Sequence, residues 1–180
     1  RFTLDENYSE AVKKSFQRYH QRGWIYRKKR IINWCPRCGT ALSDLELEYQ
    51  EEKTKLWHIR YPLVDSDESI VIATTRPETM FGDLAVAVNP KDQRYKNLIG
   101  QKARLPLTDN LIPIIADSAI DPEFGTGALK VTPSHDPIDS EIGERNQLGL
   151  KTVITEEGLL NNQVPEPYQG MNLDQARKKI

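Results

Sequence analysis

Between residues 56 and 155 the apolar side chains fall into six short runs, at 56–61, 69–74, 84–88, 111–115, 128–132 and 151–155, and turn-forming residues bound most of them. Runs this short, alternating or continuously apolar, read as strands rather than helices. Short helical stretches interrupt them. One is a Pro-initiated turn at 77–81 closed by Gly82, a second follows Asn89-Pro90 and ends near Gly100, and a third opens at Asp136-Pro137 and runs towards Leu148-Gly149. Proline suits a first helical turn because its missing N–H would be unpaired there anyway. Strands and helices do not alternate regularly, so the pattern predicts a mixed α+β domain around a β-barrel-like or curled sheet. A chain of 180 residues buries roughly 70% of its unfolded surface, enough for a core without disulfide or metal.

The first 55 residues read differently. Tyr8, Val12, Phe16 and Tyr19 share one face of a helix that Gly23 stops. A short strand over 30–34 leads into Cys35-Pro36-Arg37-Cys38-Gly39, and Leu45, Leu47 and Tyr49 alternate with Glu46 and Glu48 as a further strand. Charge divides along the same line. Residues 1–55 carry 12 Lys+Arg against 8 Asp+Glu (+4), residues 56–180 carry 13 against 18 (−5), and the whole chain is −1. Two units are expected: a connecting segment over 1–55, with a helix and a cysteine turn, and a domain over 56–180. The only dense basic block, Arg27-Lys28-Lys29-Arg30, reads as a solvated turn more often than as a nucleic-acid site. The chain opens at Arg1 and stops inside a helix-like stretch at 172–180, which suggests a piece of a larger protein. No apolar run approaches the roughly 18 residues of a membrane span, and no signal-peptide pattern opens the chain.

Cys35-x-x-Cys38 has the shape in which two thiolates from one tight turn grip zinc. A structural zinc takes about four ligands, and neither His20 nor His58 has the spacing to complete the set. Cys35 and Cys38 are therefore a possible half-site, tight zinc binding is not expected, and the turn is expected to be partly disordered or held by packing. No other cysteine exists to build a disulfide framework, which suits a reducing compartment.

The chain has no Gly-x-Ser-x-Gly elbow, Walker loop, His-Glu-x-x-His or dinucleotide fingerprint. Two polar clusters remain. In the first, Thr74-Thr75-Arg76-Pro77-Glu78-Thr79, continuing to Asp83, an apolar strand ends in two hydroxyls and a guanidinium and turns into a short helix. Capping by Thr75 would account for it structurally; the functional alternative is a strand end that presents donors to an anionic or carbonyl-bearing ligand. In the second, from Phe124 to Asp139, glycines permit close backbone approach, and Lys130 and Thr132 share one face of a strand. Asp136 before Pro137 is placed to cap a helix and Asp139 falls at its third position, so helix stabilisation alone would account for either aspartate. Together with Lys130 and Thr132 they can also hold an ammonium and a hydroxyl at once, the two groups an amino-acid ester presents.

With Ile32-Asn33-Trp34-Cys35-Pro36-Arg37-Cys38-Gly39, Thr74-Thr75-Arg76-Pro77-Glu78-Thr79, and Gly125-Thr126-Gly127 through Asp139 in this order, the chain resembles the valyl members of the class I aminoacyl-tRNA synthetases over almost its whole length. The match is to their editing insertion and its N-terminal approach. Arg76-Pro77-Glu78-Thr79 favours the valyl branch, since isoleucyl relatives usually carry Thr-Pro-Trp-Thr there and leucyl relatives Pro-Asp-Thr.

The resemblance implies an editing domain that hydrolyses threonine mischarged onto the valine tRNA. It implies that Asp136 binds the α-ammonium and Asp139 accepts the threonine hydroxyl. Thr74, Arg76, Thr79 and Lys130 would line the pocket near the ester and ribose, Phe124 and Thr132 complete its walls, and Asp83 supports the first cluster. Water would be the nucleophile, no cofactor is needed for editing, and no general base is assigned. The parent enzyme would be a cytoplasmic ligase charging valine onto tRNA with ATP and Mg, while this stretch lacks the ATP signatures. Its partners would be the valine tRNA and threonyl-tRNA, with no membrane partner, and the chain would be monomeric. Any further zinc ligands would lie beyond Ile180. The rival reading is a zinc-knuckle RNA-binding module that holds the tRNA end without catalysis.

Overall fold

A computed structural model of the chain describes residues 2–51, 53–64 and 66–180. They form two compact units, one ending at residue 30 and one beginning at residue 31. The first unit is helix α1, Glu6–Gln21, with acidic Glu6 in its first turn and basic Arg18 and His20 in its last, as the helix dipole favours. Gly23, with φ +72°, ends it in the left-handed region. The face made by Tyr8, Val12, Phe16 and Tyr19 is exposed.

The second unit begins with a hairpin, β1 Asn33–Cys35 against β2 Thr40–Leu42, with Cys35 and Cys38 at its turn. The hairpin is tied to a later segment by a hydrogen bond: the Trp34 indole N–H donates to Glu156 O at 2.9 Å. The strand expected over 45–49 does not form. Ser43 and Glu46 close a capping box around a 3-10 turn at Asp44–Glu46, with the Glu46 carboxylate 2.7 Å from the Ser43 N–H. Leu45 and Tyr49 are 98% and 92% exposed, so the alternation there has no buried face to serve.

Beyond them, β3 Trp57–Pro62 and β4 Ser69–Thr74 make an antiparallel hairpin. A four-stranded mixed sheet runs in the order β6 Lys102–Arg104, β7 Leu111–Ala116, β5 Ala85–Val88, β8 Ala128–Val131, with β5 parallel to β7 and antiparallel to β8. Central β5 is buried on both faces. Val86 and Val88 join Ile70, Ile72 and Tyr61 of the hairpin in one core, while Ala85 and Ala87 join Val131 and Ile142 in another. Two-sided burial is why this strand reads as a continuous apolar run. A third core gathers Met80 and Phe81 with Val153, Leu160, Tyr168 and Ala176. Each fully buried aliphatic or aromatic side chain contributes roughly 1.5–3 kcal/mol.

The expected barrel is corrected: among the described residues no sheet closes. A barrel needs every strand laddered on both edges. Here the hairpin joins the four-stranded sheet through a single bridge, Leu63 to Ala103, and β4 packs beside β8 in a separate sheet. The expected strand over 151–155 is likewise reduced to one bridge, Ile154 to Leu160. Its backbone is spent elsewhere: Val153 N–H donates to a histidine ring and Thr155 N–H to Leu159 O. The helix expected after Pro90 is a single 3-10 turn, Lys96–Leu98. Helices α2 Pro137–Arg145 and α3 Leu173–Lys179 complete the unit.

Candidate active site

Two strand ends build the site. At the end of β4, Thr74 Oγ1 accepts the Arg76 N–H at 3.1 Å, so Thr74, rather than the expected Thr75, ties the turn. The 3-10 turn Pro77–Gly82 follows, with all six residues buried. Thr79 Oγ1 donates back to Arg76 O at 3.0 Å. At the end of β8, Asp136 caps α2, its Oδ1 accepting the N–H groups of Ile138 and Asp139 at 2.9 and 3.2 Å. The Arg76 guanidinium reaches across from the first strand end, and its Nη1 donates to His135 O at 2.8 Å.

The glycines of the second cluster serve the chain's own packing. A Cβ on Gly127, at φ +78°, would lie 2.5 Å from Arg94 Nη2 and 2.8 Å from Pro122 O. This is a loop pressed onto the Arg94–Asp92 ion pair, where the sequence had suggested an approach kept open for a ligand.

Beneath the strand ends lies a buried polar network. The Lys130 ammonium donates to Thr132 Oγ1 at 2.6 Å, to Thr79 Oγ1 at 2.7 Å and to Asp83 Oδ1 at 3.3 Å, which uses its three donors. Asp83 also accepts from Thr132 Oγ1 at 2.6 Å and from the Tyr61 hydroxyl at 2.7 Å. Burial pushes the Asp83 carboxyl up, against the pull of the Lys130 charge, and pushes the Tyr61 phenol well up. A charged pair this deep persists because all three ammonium protons and both carboxylate oxygens have partners.

Above this network opens a cleft of about 250 Å³. Thr74, Arg76 and Thr79 line it from the first cluster, and Phe124, Lys130, Thr132, Asp136 and Asp139 from the second. Asp83 lies under the floor, fully buried. Phe124 stands at the rim, 73% exposed. The Lys130 ammonium faces its own three partners, so it braces the two threonines and supplies positive potential without a free donor.

Asp139 is 5% exposed, and its Oδ2 accepts the Thr132 N–H at 2.8 Å. Burial pushes its carboxyl up to about 6, opposed by the Thr132 hydrogen bond and the Lys130 charge. Sequence reasoning passed over His135, which also lines the cleft. Its Nε2 accepts the Val153 N–H at 2.9 Å, which places the ring proton on Nδ1. Burial, and then the charges of Arg76 and Lys130, push it down to about 4, so the ring is neutral at pH 7. With Nε2 engaged and Nδ1 protonated, it can donate to a ligand but is not free to take a proton. Its position just before the cap Asp136 was the available signal. Tyr61 and Arg177 were also missed, and only the fold brings them to this region.

Cys35 and Cys38 are both free thiols, the first half-buried and the second exposed. Hydrogen bonding from Cys38, by backbone first and then side chain, holds the Cys35 thiol below its ordinary value, while the Cys35 thiol raises that of Cys38. Among the described residues no group of three or more His, Cys, Asp or Glu side chains could hold a metal ion. No described helix is long and apolar enough to cross a membrane.

Comparison with known proteins matches residues 1–157 to the family model for tRNA synthetases class I (I, L, M and V). The chain is 56% identical over all its 180 residues to the valine–tRNA ligase of Coxiella burnetii and 54% identical over 179 residues to that of Clostridium tetani. It spans about 20% of the length of each of these relatives. A solved structure, the ternary complex of Agrobacterium radiobacter K84 LeuRS with tRNA and LeuAMS, superposes with a TM-score of 0.55 at 17% identity. That match covers 98% of this chain and 31% of that one, and it concerns the fold.

Proposed function

Because the chain belongs to the class I tRNA synthetases and matches valine–tRNA ligases along its whole length, we propose that its cleft is their editing site, hydrolysing threonine from mischarged valine tRNA. The observation that carries this reading is the meeting of Asp136 and Asp139 with Arg76 and Thr74 around one cleft of about 250 Å³. Such a site is needed because a hydrophobic synthetic pocket cannot strongly reject an isostere that only adds a hydroxyl, the valyl enzyme being the established illustration.

The Asp136 oxygen not used in capping takes the substrate's α-ammonium. Asp139 Oδ1, which has no partner among the described residues, accepts the side-chain hydroxyl of threonine. Valine offers no donor there, and a buried acceptor left unpaired costs roughly 1–3 kcal/mol. Arg76, with Nη1 on His135 O, keeps donors for the ester or the ribose. The His135 Nδ1–H is a further donor at the same wall. Water attacks the ester carbonyl, and the site contributes proximity and fixed dipoles rather than a covalent intermediate. Charging of valine onto tRNA with ATP and Mg is placed in the rest of a cytoplasmic ligase. Zinc, if held, would sit on Cys35 and Cys38 with two ligands from elsewhere in that chain, away from the chemistry.

The test is deacylation of threonyl- and valyl-tRNA by the full-length ligase and by the 180-residue chain. The expected result is release of threonine far faster than of valine, abolished or strongly slowed by Asp136→Ala. A ligase that binds the tRNA end but releases threonine at the uncatalysed rate would instead support the RNA-binding reading.

A further inference from the structure

The cleft chemistry leaves the carboxylate of Glu78 unused, although it is completely buried two residues from Arg76. A buried carboxylate is retained only with strong partners. Glu78 has one strong partner and one looser charged neighbour. Arg177 of α3 grips it with both edges of its guanidinium, Nε to Oε2 at 3.0 Å and Nη2 to Oε1 at 2.8 Å. Arg76 Nε lies 3.7 Å from the same Oε1. Arg177 is itself fixed. Helix α3 opens with a capping box between Asn172 and Gln175, Ala176 is buried in the core with Met80 and Phe81, and Lys179 Nζ donates to Pro167 O at 2.6 Å. Arg76 is then hydrogen-bonded through Nη1 to His135 O and drawn electrostatically towards Glu78 through Nε, and Nη2 has neither contact among the described residues.

We propose that Glu78 and Arg177 are positioning residues for Arg76, so that α3, 99 residues along the chain from Glu78, sets the guanidinium at the cleft wall. The proposal rests on the deacylase reading of the cleft. A side chain 42% exposed, as that of Arg76 is, would otherwise sample many rotamers, and the fixed carboxylate between two guanidiniums removes that freedom. A clamp that only fastened α3 to the fold would need Arg177 and Glu78 but would not involve Arg76.

The two roles separate in a double-mutant cycle on the full-length ligase, with threonyl-tRNA deacylation and thermal unfolding measured for each variant. Arg177→Ala is expected to lower kcat/KM roughly fivefold, within the couplings seen inside one ion-pair network. In an Arg76→Ala background the same change is expected to cost less than about twofold, because its effect passes through Arg76. The fall in Tm should not shrink in the Arg76→Ala background, where Glu78 is left buried with neither guanidinium, so stability and rate respond differently to the same change. Should Arg177→Ala fold poorly, Arg177→Lys keeps the charge without the fork and is expected to show a smaller loss that vanishes in the same way. An Arg177 variant at wild-type rate, or losing the same factor in both backgrounds while Arg76→Ala alone is impaired, would overturn the proposal and leave the deacylase reading standing. An Arg76→Ala ligase at full rate would also overturn the proposal, whereas a native ligase releasing threonine only at the uncatalysed rate would remove the deacylase reading on which it rests.

Discussion

On the proposed reading of the cleft, Asp139 bears on both specificity and stability. Its ionised form can only accept a hydrogen bond, and threonine's hydroxyl can donate one. Asp139→Ala is expected to lower threonyl-tRNA deacylation at least about tenfold, equivalent to roughly 1.4 kcal/mol of transition-state stabilisation, and to reduce selectivity for threonine over valine. Asp136→Ala should impair any aminoacyl ester regardless of its side chain, and rates on both charged tRNAs distinguish the two patterns. Deacylation should also fall as pH drops below about 6, where burial lets Asp139 take up a proton. Stability runs the opposite way. The folded value of about 6 lies above the ordinary 3.8, so the stability from protonated Asp139 is complete below 3.8 and is lost as pH rises through about 6. The difference corresponds to roughly 3 kcal/mol. An asparagine oxygen can still take the Thr132 N–H, so Asp139→Asn should unfold at higher denaturant than the native chain at pH 8, with the gap closing towards pH 4. A gap unchanged across that range would show that burial of this charge carries no such penalty.

At the scale of elements, the site depends on how closely α2 rides on the end of β8. A Cβ on Gly143 of α2 would fall 2.7 Å from the Pro133 ring. Alanine gains about 1 kcal/mol in helix propensity, but a proline ring cannot yield, and overpacking costs roughly 1–3 kcal/mol. Gly143→Ala is expected to lower Tm and, by moving Asp136 and Asp139 together, to slow deacylation; unchanged values for both would show that α2 can shift freely. The floor is still more demanding. Asp83→Ala leaves the Lys130 ammonium buried without its counter-charge, and a loss of roughly 3–5 kcal/mol is expected in denaturant unfolding.

Elements were legible in the sequence where one local signal decided them. The 69–74 run became β4 with the same bounds, and Asp136-Pro137 opened α2 at the cap. Alternation at 45–49 misled because its apolar residues meet no core, and at 151–155 because a histidine ring and a turn take the backbone groups. The candidate residues were legible as two strings, and the cleft is lined by all of them but Asp83, which lies buried beneath it. Their division of labour was not: the commitment of the Lys130 ammonium to the floor, the fixed tautomer of His135 and the grip of Arg177 on Glu78 are contacts between distant segments that no local pattern encodes.

For the whole molecule, the account places one cleft where the end of β4 meets the end of β8 and the start of α2, over three cores that fix these elements from below. The barrel suggested by strand count gives way to a hairpin and a mixed sheet joined by one bridge. The site therefore relies on side-chain networks, rather than a closed ladder, to hold its two walls in register. The most direct measurement is the rate of threonine release from threonyl-tRNA by the full-length ligase, native and Asp139→Ala, with valyl-tRNA as the control substrate. The account predicts rapid release of threonine and little of valine by the native enzyme, and a loss of at least about tenfold on threonyl-tRNA in the variant. Equal rates for the two enzymes, with unchanged preference between the two charged tRNAs, would contradict it.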